Sequence, residues 1–253
     1  MDKTYLIANW KMQLPLKEAI SLAKEIANAS VGFTAQAEIV LCPSFDSILM
    51  VAEELKNSSI KLGAQDCFWE AEGSYTGEIS PKFLAEAGVK YVILGHSERR
   101  QNLGENNHQI NLKIRAALSV GLIPILCVGE TFEERQEGRK DFVIMQQLNH
   151  SLHDIKLLTN DFLIVAYEPV WVIGSGQAVD PEEAEHTSQV IKQTLFDLFG
   201  TEIYKQQTAV IYGGSVNPNN FKSFLEQTTI KGALVGTASL EAETFTEMIK
   251  QTS

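Results

Sequence analysis

The sequence predicts an α/β fold in which eight parallel strands close into a (β/α)8 barrel surrounded by helices. Three observations carry that expectation. Short, continuously apolar runs alternate with longer segments of helical period from one end of the chain to the other. Eight such runs fit into 253 residues, the size of a closed barrel. No Pro/Gly/Ser-rich linker or break in composition divides them, so residues 1–253 are expected to form one domain. An open, doubly wound sheet is the competing arrangement.

The strand-like runs are "TYLIAN" (4–9), "AEIVLC" (37–42), "IKLGAQ" (60–65), "KYVILG" (90–95), "LIPILCV" (122–128), "FLIVAY" (162–167), "TAVIYG" (208–213) and "KGALVG" (231–236). Each is apolar throughout rather than alternating, as expected of parallel strands covered on both faces. Between them, 15–30 places Leu16, Ile20, Ala23 and Ala27 on one helical face, with Pro15 in the first turn. Residues 106–120 do the same through Ile110, Ile114 and Leu118, and 141–155 through Met145, Leu148 and Leu152. In 181–199 the face is Val190, Ile191, Thr194, Leu195 and Leu198, opened by Asp180 as cap and Pro181 as first residue. Strand followed by helix, repeated, implies right-handed crossovers and a parallel sheet.

Hydrophobic residues make up 44% of the chain, enough for a large core. A net charge of −11 argues against a nucleic-acid binder, which needs a basic footprint. It leaves room for a small anionic substrate, because a few donors set the potential inside a cleft. Cys42, Cys67 and Cys127 lack metal-type spacing, and the runs around Cys42 and Cys127 suit small buried hydrophobes. "MDKTYLIANW" is too short for a secretory core, and no run is long enough to span a membrane. A reduced cytoplasmic setting is the expectation.

Reactive groups in such barrels gather where strands run into helices. Those positions hold Asn9 and Lys11, His96 in "GHSERR", Glu168, "GGS" at 213–215 and "GTAS" at 236–239. A lone lysine is usually a surface residue and a lone histidine usually structural. A glutamate ending a buried strand is harder to dismiss, since its desolvation needs a use. Together on one face they describe a site, with two glycine turns whose free N–H groups suit an anion. Other signals weigh less. "GSGQAV" lacks the third glycine of a dinucleotide loop. His150 and His153 have no third ligand nearby. Residues 132–141 read as an exposed, mixed-charge helix start.

"NWKM" (9–12), "TGEIS" (76–80), "GHSERR" (95–100), "LCVGE" (126–130), "AYEPVW" (166–171) with Gly174 and Gly176, "YGGSV" (212–216) and "LVG" (234–236) with "ASL" (238–240) stand in one order along the whole chain. On these motifs the chain resembles the triosephosphate isomerases. The resemblance implies interconversion of dihydroxyacetone phosphate and glyceraldehyde 3-phosphate, without cofactor or metal. It implies Glu168 as catalytic base, His96 as electrophile, and Lys11 and Asn9 as residues that orient and stabilise the substrate. The amides of Gly174, Ser215 and Gly236, with Thr237 beside them, would grip the phosphate. Moving a proton between neighbouring carbons suits a single carboxylate, and the charge that builds on oxygen suits Lys11 and His96.

Residues 169–179 would then form a lid. Pro169, Val170 and Trp171 make a stiff hinge, Ile173 follows, and Gly174, Ser175 and Gly176 form the tip. Closure would desolvate Glu168 and strengthen it as a base. Val172, Ser175, Gln177 and Thr237 depart from the commoner family residues alanine, threonine, lysine and glycine, and Gln177-Ala178-Val179 alters the second hinge. The resemblance also implies a homodimer through loop 73–78, with Tyr75 and Thr76 at the interface and Gln65 lining the socket. Asp66, where asparagine is common, would make dimerisation sensitive to pH. A sugar-phosphate epimerase would bring metal ligands, and a Schiff-base aldolase a nucleophilic lysine at a central strand end. A non-catalytic relative would have lost Lys11, His96 or Glu168.

Overall fold

The computed structural model describes residues 3–31, 37–174 and 177–252. Strands β1 (Thr4–Asn9), β2 (Ala37–Cys42), β3 (Lys61–Ala64), β4 (Tyr91–Leu94), β5 (Ile123–Val128), β6 (Leu163–Tyr167), β7 (Thr208–Tyr212) and β8 (Ile230–Val235) follow the predicted runs within about two residues. They pair in sequence order, all parallel, and β8 returns to β1. The barrel is therefore closed, which removes the open-sheet alternative. The helices are α1 (Leu16–Ala29), α2 (Ile48–Leu55), α3 (Pro81–Glu86), α4 (Ser97–Leu103), α5 (Asn107–Ser119), α6 (Phe132–Gln136), α7 (Lys140–Ser151), α8 (Pro181–Phe199), α9 (Thr201–Gln207), α10 (Phe221–Leu225) and α11 (Ala242–Lys250).

Continuous apolar strands are needed because each strand serves two cores. Tyr5 and Ile7 of β1 point inward with Val40, Tyr91, Ile93, Ile125, Ile164 and Ile211. Leu6 and Ala8 point outward into the layer shared with the helices. Inward and outward side chains alternate along a strand, so neither set is free to be polar. Cys42, Cys67 and Cys127 are buried free thiols, and Trp10 Nε1 donates to the Ser239 carbonyl at 3.1 Å, tying the ends of β1 and β8 together.

Helix starts follow their capping residues. The Asp180 carboxylate accepts from Glu182 N–H at 2.9 Å, and Pro181 opens α8 as expected. Asn106 with Gln109, and Thr131 with Glu134, form reciprocal capping boxes. Two expected helix faces are corrected. In α1 the buried residues are Ala19, Leu22, Ala23 and Ile26, whereas Leu16 is 42% exposed. Pro15 caps the helix from outside rather than sitting in its first turn. The apolar stripe of α1 is wide, and packing on the barrel selects its centre instead of its edge. In α7 Met145 is 39% exposed, and Val143, Ile144, Leu148 and Ser151 are buried. Two overlapping apolar rows exist there, and contact with α5 and α8 selects the second.

Candidate active site

Asn9, the last residue of β1, is buried. Two residues on, Lys11 adopts the left-handed conformation (φ 52°), which costs a non-glycine residue about 1–2 kcal/mol. Its backbone is held from both sides. Lys11 N–H donates to Asn9 Oδ1 at 3.1 Å, and Gln65 Nε2 donates to the Lys11 carbonyl at 2.8 Å and the Cys42 carbonyl at 3.0 Å. The Lys11 ammonium meets Glu98 Oε1 at 2.5 Å. Gln65 therefore braces the lysine within its own chain.

His96 stands between β4 and α4. Gly95 before it has φ +70°, and a Cβ there would meet Ile110 at 2.7 Å, so the turn into His96 needs glycine. Arg100 braces this turn from behind, donating to the Gly95 carbonyl at 2.7 Å and the Cys127 carbonyl at 3.1 Å. The imidazole caps α4, its Nδ1 accepting from Glu98 N–H at 3.3 Å. With Nδ1 turned to that amide, Nε2 is the ring nitrogen that faces the site.

Glu168 follows β6 and is 1% exposed. Its Oε2 accepts from Ser97 N–H, the first amide of α4, at 2.9 Å. Its Oε1 lies 3.1 Å from His96 Nε2. Among the described residues Oε1 is buried and accepts no hydrogen bond. A carboxylate at a helix N-terminus is favourably placed, but a bare oxygen beside a donor is a group waiting for a ligand. Burial pushes the neighbouring Cys127 thiol well above its ordinary value, and the Glu168 charge adds to the effect. Cys127 is therefore an inert wall.

Asn9, Lys11, His96 and Glu168 line one cavity of about 420 Å³. Ile173, Gly174, Ser215, Gly236 and Thr237 line it as well. One side carries the Glu168 carboxylate, the His96 imidazole and the Lys11 ammonium, and the other carries the glycine turns after β7 and β8. That is the arrangement that suits a short substrate with a reactive carbon at one end and an anion at the other.

The triosephosphate isomerase family model matches residues 4–252. The chain belongs to the triosephosphate isomerase family. A triosephosphate isomerase of Dictyoglomus thermophilum is 44% identical over 250 residues, covering 99% of this chain and 100% of that protein. One from Carboxydothermus hydrogenoformans is also 44% identical, with 99% of each chain covered. One from Endomicrobium trichonymphae is 41% identical at the same coverage. As a triosephosphate isomerase the chain is an enzyme that interconverts dihydroxyacetone phosphate and glyceraldehyde 3-phosphate.

The segment expected to cover a triosephosphate isomerase site is anchored at both ends. Val170–Val172 form one 3-10 turn after Pro169. Trp171 Nε1 donates to Glu130 Oε1 at 3.0 Å, and Tyr167 OH donates to the same oxygen at 3.2 Å. The Arg135 guanidinium lies 4.8 Å above the Trp171 ring. Burial pushes the Glu130 carboxyl up, against the hydrogen bonds from Trp171 and Tyr167. At the far end Val179 N–H donates to Tyr212 OH at 3.3 Å. Ser175 and Gly176 lie outside the described residues.

Tyr75 and Thr76 are exposed and do not reach the cavity. Their loop is ordered from within: Phe68 stacks on Trp69 at 4.0 Å and meets Tyr75 at 4.7 Å, and Phe68 N–H donates to the Ile79 carbonyl at 2.8 Å. Asp66 turns inward, 2.8 Å from both Lys113 Nζ and Arg99, with Glu105 against the same cations. Among the described residues no cluster suits a metal, and His150 and His153 are exposed. Four supporting residues were not singled out from the sequence: Ser97 and Glu98, both inside "GHSERR", Glu130, and Tyr212. Each acts through a contact more than 30 residues away in the chain, which local pattern does not reveal.

Proposed function

We propose that Glu168 is the base and His96 the electrophile of this isomerase, with Lys11 and Asn9 placing the substrate and the turns at 213–215 and 236–237 taking its phosphate. The observation that carries this reading is the convergence of all of these on one cavity, with Glu168 Oε1 bare inside it. Glu168 removes a proton from the carbon beside the carbonyl and returns it to the neighbouring carbon. The enediolate oxygens take their stabilisation from the Lys11 ammonium and from His96 Nε2–H. A neutral His96 lends a proton to one oxygen and recovers it from the other. Atoms balance without any cofactor.

Residues 169–179 act as the lid over this chemistry. The turn at Val170–Val172 is anchored by Glu130 and the far hinge, at Val179, by Tyr212. Drawing Pro169 inward takes Glu168 off the Ser97 amide and toward the substrate. A carboxylate that loses a donor and its water holds a proton more readily. Closure also keeps the intermediate from expelling its phosphate.

We further infer a homodimer through loop 73–78, one barrel domain over residues 1–253, and a cytoplasmic setting. The ordered but exposed loop supports the first, as do the nearly bare Met12, 94% exposed, and the exposed Phe45 on neighbouring loops at the same barrel end. The pairing of β1 with β8 in one closed barrel supports the second. Three buried free thiols fit the third, and among the described residues no helix is long and apolar enough to cross a membrane. The deciding test assays the purified protein on glyceraldehyde 3-phosphate beside Glu168→Gln. Activity that falls roughly 10²–10⁴-fold in the variant supports the assignment. An equally active variant refutes Glu168 as the base.

A further inference from the structure

Arg100 on α4 carries a guanidinium that the chemistry above does not use. Its Nε donates to the Gly95 carbonyl at 2.7 Å, Nη2 to the Cys127 carbonyl at 3.1 Å and Nη1 to Asn107 Oδ1 at 2.6 Å. All three acceptors are neutral. Its neighbour Arg99 pairs with Asp66 and Glu105, whereas among the described residues no carboxylate pairs with Arg100. A cation drawn into the protein without a counterion is costly. Burial lowers its affinity for the proton, and Cys127, Glu168 and Glu105 oppose the drop, in that order.

Two of those three groups have other commitments. Burial pushes the Cys127 thiol well above its ordinary value, so it carries no charge at neutral pH. Glu105 meets Lys113 and Arg99. Glu168 is left. It faces His96 Nε2 at 3.1 Å, the Ser97 amide at 2.9 Å and the Cys127 thiol of β5. From the β7 side it meets Gly213, where an added Cβ would fall 2.9 Å from its Cγ. Lys11 lines the same cavity, but Glu98 holds its ammonium. The carboxylate without a lysine or arginine and the guanidinium without a carboxylate thus hang from the same two strand ends. Arg100 grips the carbonyl before His96 and the Cys127 carbonyl, and the next carbonyl, that of Val128, accepts from Glu168 N–H at 2.7 Å.

We propose that Arg100 is a positioning residue of the isomerisation, fixing the strand ends that carry His96 and Glu168 and supplying the countercharge to the resting Glu168 carboxylate. The proposal rests on Glu168 being the base. A base must be unprotonated when the substrate arrives. At 1% exposure Glu168 draws almost nothing from water, so its charge has to be supported by the protein. A guanidinium suits both tasks, because its planar fork reaches two carbonyls at once and its charge does not titrate in the working range. Closure that draws Glu168 off the Ser97 amide also draws it away from Arg100, so the cation acts on the resting base and less on the working one.

The test is kcat and KM on glyceraldehyde 3-phosphate from pH 5 to 9 for the parent, Arg100→Gln and Arg100→Lys, with circular dichroism to establish folding. The substrate phosphate titrates alike in all three, so differences between the profiles belong to the enzyme. Arg100→Gln keeps a donor and loses the charge. Glu168 then holds its proton to higher pH, and the acid limb of kcat/KM should move up by roughly one pH unit. Arg100→Lys keeps the charge and loses the fork, so its acid limb should stay within about 0.3 units of the parent while kcat falls roughly tenfold. Arg100 does not line the cavity, so KM at pH 8 should change less than about twofold in either variant. An acid limb unmoved in Arg100→Gln overturns the proposal, as does a limb displaced as far in Arg100→Lys as in Arg100→Gln. Should Arg100→Gln not fold, the Arg100→Lys profile decides: a displaced limb overturns the proposal and a parental limb with reduced kcat supports it. Glu168→Gln separates the two readings. If it is as active as the parent, the base assignment and this proposal fall together; if it is inactive while the Arg100→Gln limb is unmoved, this proposal falls alone.

Discussion

Gly129→Ala should cripple the enzyme without touching a catalytic side chain. A Cβ built on Gly129 falls 1.6 Å from the Glu168 carbonyl oxygen and 2.5 Å from its carbonyl carbon. Both are main-chain atoms, so no side-chain rotation relieves the clash. Gly129 itself is held by Gln147, which accepts from its N–H at 2.8 Å and donates to its carbonyl at 3.0 Å. On the other strand, Glu168 N–H donates to the Val128 carbonyl at 2.7 Å. Reaching even a compressed contact requires the Glu168 backbone to retreat by roughly 1.5 Å. A misplacement of about 1 Å costs a catalytic group on the order of 10²-fold, about 2.7 kcal/mol in the barrier. Overpacking should cost a further 1–3 kcal/mol or so of stability. The assay is kcat on glyceraldehyde 3-phosphate, with circular dichroism and urea unfolding to establish that the variant folds. Gly121→Ala is the control, because its φ of +76° carries the backbone strain while nothing stands within 4 Å of the new methyl. It should lose about 1 kcal/mol and keep its kcat. A folded Gly129→Ala enzyme with kcat within threefold of the parent refutes the argument.

Tyr212→Phe leaves the buried Val179 N–H without an acceptor, which should cost about 1–3 kcal/mol; hydrogen exchange at Val179 should accelerate while the β7 amides stay protected, and unchanged exchange at Val179 refutes the anchor. Asp66 has a carboxyl raised to about 6, by burial first and by Glu105 against the pull of Lys113 and Arg99, compared with about 3.9 in an unfolded chain. Between those values the native state binds a proton that the unfolded state does not, so this group weakens the fold above pH 6 and the penalty vanishes as pH falls below about 4. Relative to Asp66→Asn, the parent should therefore gain on the order of 2 kcal/mol between pH 7 and pH 4, measured by urea unfolding at equal protein concentration; parallel profiles would contradict the burial argument. Since Asp66 faces Lys113 and Arg99 within its own subunit, sedimentation of the parent between pH 5 and 8 should show no change in association state. Thr76→Arg should shift sedimentation toward the monomer and reduce activity by tenfold or so, and an unaltered sedimentation coefficient speaks against the loop as the interface.

The eight strands were legible because burial on two faces forces an unbroken apolar run, and that signal survives without any knowledge of the partners. The residues that line the candidate site were legible for a related reason: Asn9, Lys11, His96 and Glu168 are polar groups placed where apolar strands stop. Helix faces were less legible. Leu16 and Met145 belong to stripes wider than the contact they make, so amphipathic period alone left the buried row open by about one residue.

What the chain by itself determined is therefore local: where strands begin and end, which turns need glycine, and which side chains stand at the strand tips. Tertiary structure decided the relations between those tips. Only closure of the barrel brings Glu168 onto the Ser97 amide, Lys11 against Glu98, and Gln65 beneath the Lys11 backbone, because each pair lies on different βα units. Hydrogen bonds and charges act over a few ångströms, and no local period in the sequence encodes a distance that short between residues so far apart.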